Sequence, residues 1–179
     1  VREGVQWSDG EPFTAEDVAF TYNLVKTAPG VNSSILAAVT GASAYVDSIT
    51  AVDDTTVAFA FNRVYTPGLY ELISQNIVPE HVWSAVTDVV AFTNETPVGT
   101  GPFTEVVSFS GQAYEIDKNP NYWQAGKPAF KGIEWKAFAD SNAAALAMAS
   151  GEIDWSNLFI VDPANNFVAA DAANRYFIM

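Results

Sequence analysis

Trp155, Ser156 and Asn157 stand in a row near the end of the chain: a flat aromatic face, a hydroxyl and an amide. Just before them come Glu152 and Asp154, and Phe159 follows two residues later. Two chemistries use such residues. A polar organic ligand needs an apolar face to lie on and a few directional hydrogen bonds, which Trp155, Ser156 and Asn157 can supply, with Asp154 and Phe159 at the margins. A glycoside hydrolase needs two carboxyls at a set separation, one with a raised pKa. Glu152 and Asp154, two residues apart, share a face if the segment is a strand. No second acidic cluster flanks them, and any strand with an acidic outer face looks the same, so binding is favoured over catalysis. Trp155 suits a buried core position equally well, and the residues alone leave that choice open.

These side chains have to be held by what precedes them. The small-residue segment "NAAALAMAS" predicts a closely packed helix capped by Asp140 or Ser141 and stopped at Gly151. Before it, "GIEWKAFA" alternates as a strand, and after it "EIDWS" has strand patterning. Strand, helix and strand in so short a stretch predict a βαβ unit with parallel strands. Ligands in open α/β sheets bind beyond the carboxyl ends of strands, which is where Asp154 to Asn157 then fall.

The first half has its own signals. Val5 and Trp7 alternate with polar residues before the Ser8-Asp9-Gly10 turn. Thr14 with Asp17 forms a capping box in which Asp replaces Glu, and Val18, Tyr22 and Val25 share one face of the helix that follows. "DSITAVDDTTVAFAFN" predicts a hairpin turning at Asp53-Asp54, with Val57, Phe59 and Phe61 on one face. A loop with a short helix is expected in "TAPGVNSSILAAVTGA", and further helices start at Pro67 and Pro79. "PVGTGPF", residues 97–103, predicts a fixed irregular joint with a glycine at positive φ. Two strands around Gly111 and the loop "NPNYWQAGKPAF" come next.

Composition removes several classes. Eight Lys and Arg against twenty-one Asp and Glu leave a formal charge of −13, so nucleic acid and anionic membranes are not expected partners. With no cysteine and one histidine, disulfides, thiolate sites and multi-histidine metal sites are excluded, and no cofactor is expected. His81 lacks a neighbouring nucleophile and orienting acid in the sequence, and "GTGPF" lacks the Lys-Ser/Thr of a phosphate-binding loop. Val1 at the start and the apolar "RYFIM" at the end are expected of a piece of a longer polypeptide with open sheet edges.

Five motifs, "VREGVQWSDGEPFTAEDVAFTYN", "NIVPEHVW", "PVGTGPF", "NPNYW" with "GKPAF", and "AAALAMASGEIDW", keep an order and spacing that resemble the family 5 extracellular solute-binding proteins of ABC transporters. The resemblance runs from residue 1 to about residue 157. It implies an α/β (mixed α+β) fragment of a type II periplasmic-binding-protein lobe, with a mixed sheet, flanking helices and a smaller α+β subdomain. Residues 1–97 would be the small subdomain and 98–179 part of the ligand-facing sheet domain, with the N-terminal segment and second lobe absent. A receptor rather than an enzyme is implied, closing on a peptide or an oligosaccharide and delivering it to an ABC permease. Its place would be the periplasm or the cell surface, with membrane contact only through a lipid anchor or the permease. The ligand contacts implied are Asp154, Trp155, Ser156, Asn157 and Phe159, and so aromatic a segment resembles sugar-binding members more than peptide-binding ones. "WSDG" and "VGTGP" are then scaffold.

Overall fold

The computed structural model describes residues 1–28, 30–31, 33, 35–157 and 162–166. It has mixed α/β architecture, and the chain separates into two compact units. One comprises Val1–Ser108 and Glu115–Ile133; the other comprises Phe109–Tyr114 and Glu134–Met179.

In the first unit, helix α1 (Ala15–Thr27) starts at the expected capping box. Glu16 donates its backbone N–H to the Thr14 hydroxyl, and Asp17 Oδ2 accepts the Thr14 N–H at 2.9 Å. Tyr22 and Val25 are buried, and Val18 packs beside them. They meet strand β1 (Val46–Asp53), which pairs antiparallel with β2 (Thr56–Phe61) in the register Ile49 with Phe59. Val57 and Phe59 turn towards this core. The hairpin turns at Asp54-Thr55, one residue later than expected, because Asp53 Oδ1 accepts the Thr55 N–H at 2.9 Å and stays paired with Thr56. The core is completed by Ile35, by α2 (Leu36–Val39) and by Leu72 of α3 (Gly68–Ile73), while α4 (Glu80–Trp83) begins after Pro79.

Polar groups tie the motifs together. Asp17, buried to 5% exposure, accepts Thr14 N–H, the Trp7 indole N–H at 3.2 Å and the Glu80 N–H at 2.9 Å. One carboxylate thus joins the opening turn, the start of α1 and the start of α4. Ser8 donates its N–H to Gly99 O at 2.9 Å, and Asn121 Nδ2 donates to Ser8 O at 3.0 Å. Asn119, also buried, donates to Gly101 O at 2.9 Å. Residues 97–102 are irregular, as expected, and Phe103 already opens a strand, but neither Gly99 nor Gly101 has positive φ. Hydrogen bonds fix this path. At Gly99 a Cβ would stand 3.2 Å from the Thr104 methyl, so close approach explains that glycine.

Strands β3 (Phe103–Phe109), β4 (Ala113–Lys118) and β5 (Gly132–Lys136) form a sheet with β4 in the middle. The three-residue link between β3 and β4 permits only an antiparallel pair. Lys118 N–H bonds Lys131 O, whereas Ala137 N–H bonds Gln112 O, so β5 also runs antiparallel to β4. Helix α5 (Ser141–Ser150) follows, with the short α6 (Pro163–Asn166) beyond it. The expected parallel βαβ unit is not present: residues 152–157 form no strand. A strand needs a neighbour to take its backbone hydrogen bonds. Here the backbone leaving α5 folds back on the helix end instead.

Candidate functional site

Helix α5 sets the origin of the candidate segment. Asp140 caps its start, accepting the Ala143 N–H at 2.9 Å, and Ala144 and Ala147 are its buried face. At the other end Gly151 takes a left-handed conformation, φ 78° and ψ 18°, which an L side chain resists. The Glu152 N–H then returns to Ala147 O at 2.8 Å, and Lys136 Nζ reaches Glu152 Oε1 at 3.3 Å from the end of β5. The exit from the helix is therefore held by backbone and by one ion pair.

The Ile153 N–H also reaches Ala147 O, at 3.4 Å. Among the described residues, Asp154, Trp155, Ser156 and Asn157 make no hydrogen bond. Ile153 and Ser156 are half-buried, Asp154 and Asn157 are exposed, and Trp155 is 80% exposed. Trp155 is thus not a core residue of the described chain. Phe159 lies outside the described residues. Asp154 to Asn157 are brought together as consecutive residues of one irregular segment that bends at Asp154, not at the end of a sheet strand. Glu152 and Asp154 lose the shared strand face that a carboxylate pair required, and Glu152 is engaged with Lys136.

Two features were not visible as a site in the sequence. Lys136 and Glu152 are sixteen residues apart, and nothing local pairs them. Tyr114 and Trp135 stack with ring centroids 4.5 Å apart and planes 7° apart, and Phe109 meets Tyr114 edge-on at 6.1 Å. The alternation of "FTEVVSFS", "AYEID" and "GIEWK" was the available signal, since it places these rings on one face of adjacent strands.

Metal and acid-base chemistry find little support elsewhere. Among the described residues no group of three His, Asp or Glu side chains converges on a metal position. His81 Nε2 lies 2.7 Å from Asp9 Oδ2, a contact that links the opening turn to α4. Partial burial raises the Asp9 pKa, but the His81 hydrogen bond and the Glu11 backbone N–H outweigh it and leave it below its ordinary 3.8. A carboxyl depressed on folding contributes stability above its unfolded pKa and loses it as pH falls through the folded value. Asp9→Asn should therefore flatten the decline of melting temperature below about pH 4, by a small amount because the pair is one-third exposed. Superimposable acid limbs in paired melts would show that the contact does not matter. Among the described residues, no helix is long and apolar enough to cross a membrane.

Comparison with known proteins adds a second line of observation. The family profile described as bacterial extracellular solute-binding proteins, family 5 Middle, matches residues 1–176. Protein XP55 of Streptomyces lividans is 37% identical over 156 residues, which cover 86% of this chain and 27% of that protein. A mannohexaose-bound periplasmic oligopeptide-binding protein of Thermotoga maritima superimposes with a TM-score of 0.78 at 31% identity, covering 93% of this chain and 31% of that one. The oligopeptide-binding protein AppA of Bacillus subtilis, in complex with a nonapeptide, also gives a TM-score of 0.78, at 26% identity, covering 97% and 34%. This chain spans about three tenths of the length of these relatives.

Proposed function

The chain belongs to the bacterial extracellular solute-binding proteins, family 5, and on that premise we propose that it is part of the receptor of an ABC importer, capturing a peptide or an oligosaccharide for delivery to the membrane permease. Residues 1–97 serve as a small supporting subdomain and residues 98–179 as part of the ligand-facing domain. The receptor works in the periplasm or at the cell surface, where a lipid anchor would keep it near its permease.

The observation that carries this reading is the exposure of Trp155, 80%, on a segment whose origin is fixed and whose own hydrogen-bonding groups are free among the described residues. A large indole in water is costly to leave uncovered and is a ready stacking face for a sugar ring or an aromatic side chain. Asn157 and Ser156 beside it add donors and acceptors, and Asp154 adds an acceptor for hydroxyl or amine groups. Relatives with a bound nonapeptide and with bound mannohexaose support both ligand classes. The aromatic character of the segment favours the sugar. The carbohydrate-hydrolase reading loses its support with the Glu152–Asp154 pair.

Binding without turnover is the test. The full-length protein is titrated calorimetrically with mannohexaose and with a nonapeptide pool, and the ligand is recovered after overnight incubation. Saturable binding of one probe, recovered intact, is expected. Shortened glycans or peptides in the recovered fraction would make the protein an enzyme.

A further inference from the structure

We propose that Lys136 is a positioning residue for the Trp155 segment, acting through its ion pair with Glu152; the proposal rests on the reading of Trp155 given above. Between α5 and Trp155 there are few restraints. Gly151 reverses the chain, Glu152 N–H bonds Ala147 O at 2.8 Å, and Ile153 N–H reaches the same oxygen at a long 3.4 Å. The Lys136–Glu152 contact is the one side-chain tie on this exit among the described residues. Its base is firm, because the next residue, Ala137, donates its N–H to Gln112 O at 2.8 Å and so closes the end of β5 onto the β3–β4 turn.

The consequence is mechanical. Among the described residues Asp154 to Asn157 carry no hydrogen bond of their own, so the direction in which the chain leaves the helix towards Trp155 is set by Glu152 and Ile153. If Glu152 is released, the segment gains freedom that the ligand must then remove on binding, and affinity falls. The pair is partly solvated, with the lysine side chain 32% and the glutamate 54% exposed. Its effect is therefore modest and sensitive to salt. Lys136 touches no ligand in this scheme; it acts through Trp155.

A double-mutant cycle in the full-length protein tests this, with mannohexaose and the nonapeptide pool as probes. Lys136→Met should weaken the bound probe about two- to fivefold in dilute buffer, and the deficit should shrink at about 1 M salt. In a Trp155→Ala background the same substitution should do nothing further, which a merely structural role would not produce. Combining Lys136→Glu with Glu152→Lys should recover part of the affinity. If Lys136→Met melts early, Glu152→Gln breaks the same pair and is scored instead. Loss on Trp155→Ala with no coupling to either partner overturns the positioning role and leaves the receptor reading standing. No loss on Trp155→Ala overturns the Trp155 contact and the positioning role with it, and no binding of either probe overturns the receptor reading as well.

Discussion

Asp17→Ala should cost the first unit about 3–5 kcal/mol, the largest loss expected of any single polar substitution in it. The carboxylate is 5% exposed and accepts three hydrogen bonds, from the Thr14 and Glu80 backbones and from the Trp7 indole. An ionised carboxylate offers acceptor sites only, so its chemistry matches three converging donors. Alanine leaves all three donors without a partner, and Trp7, at 1% exposure, is shut away from compensating water. Each buried unpaired group costs about 1–3 kcal/mol. Thr14→Ala is the internal control, since it removes one capping contact worth about 1 kcal/mol. The expected result is a fall in melting temperature several times that of Thr14→Ala. Equal falls for the two variants would mean that Asp17 acts only as a helix cap.

This carboxylate shows where the sequence stops being readable. Its partnership with Thr14 spans three residues and follows a local pattern, so the capping box was legible. Its partners Trp7 and Glu80 lie ten and sixty-three residues away, and only the folded chain brings them to the same two oxygens. The helix ending at Gly151 was legible for the same local reason, because a glycine after a run of small residues supplies the left-handed stop. The strand expected at "EIDWS" was not borne out. Alternating acid and apolar residues describe the two faces a strand would have, but a strand exists only when a neighbour takes its hydrogen bonds, and the described chain offers none there. The glycines of "PVGTGPF" were read for backbone freedom, while Gly99 is needed for its lack of a side chain against Thr104. In the candidate site, residue types suggested the chemistry of Trp155, Ser156 and Asn157. They could not reveal the exposure of the indole or the lysine that holds its approach.

Trp155→Ala, assayed for affinity and for stability on the same preparation, tests the receptor account most directly. An indole that is 80% exposed in the described chain gives up little buried surface when truncated, so melting temperature should barely move. A ring that stacks on ligand contributes about 1–2 kcal/mol by comparison with aromatic contacts in general, and ~1.4 kcal/mol is a factor of ten in affinity. A core tryptophan behaves in the opposite way, costing about 3–5 kcal/mol of stability when cut to alanine. The full-length variant is titrated with whichever of mannohexaose or the nonapeptide pool binds the parent, and melted in parallel. The account predicts binding about tenfold weaker at an unchanged melting temperature; unchanged affinity with a large drop in melting temperature would contradict it and return Trp155 to the core.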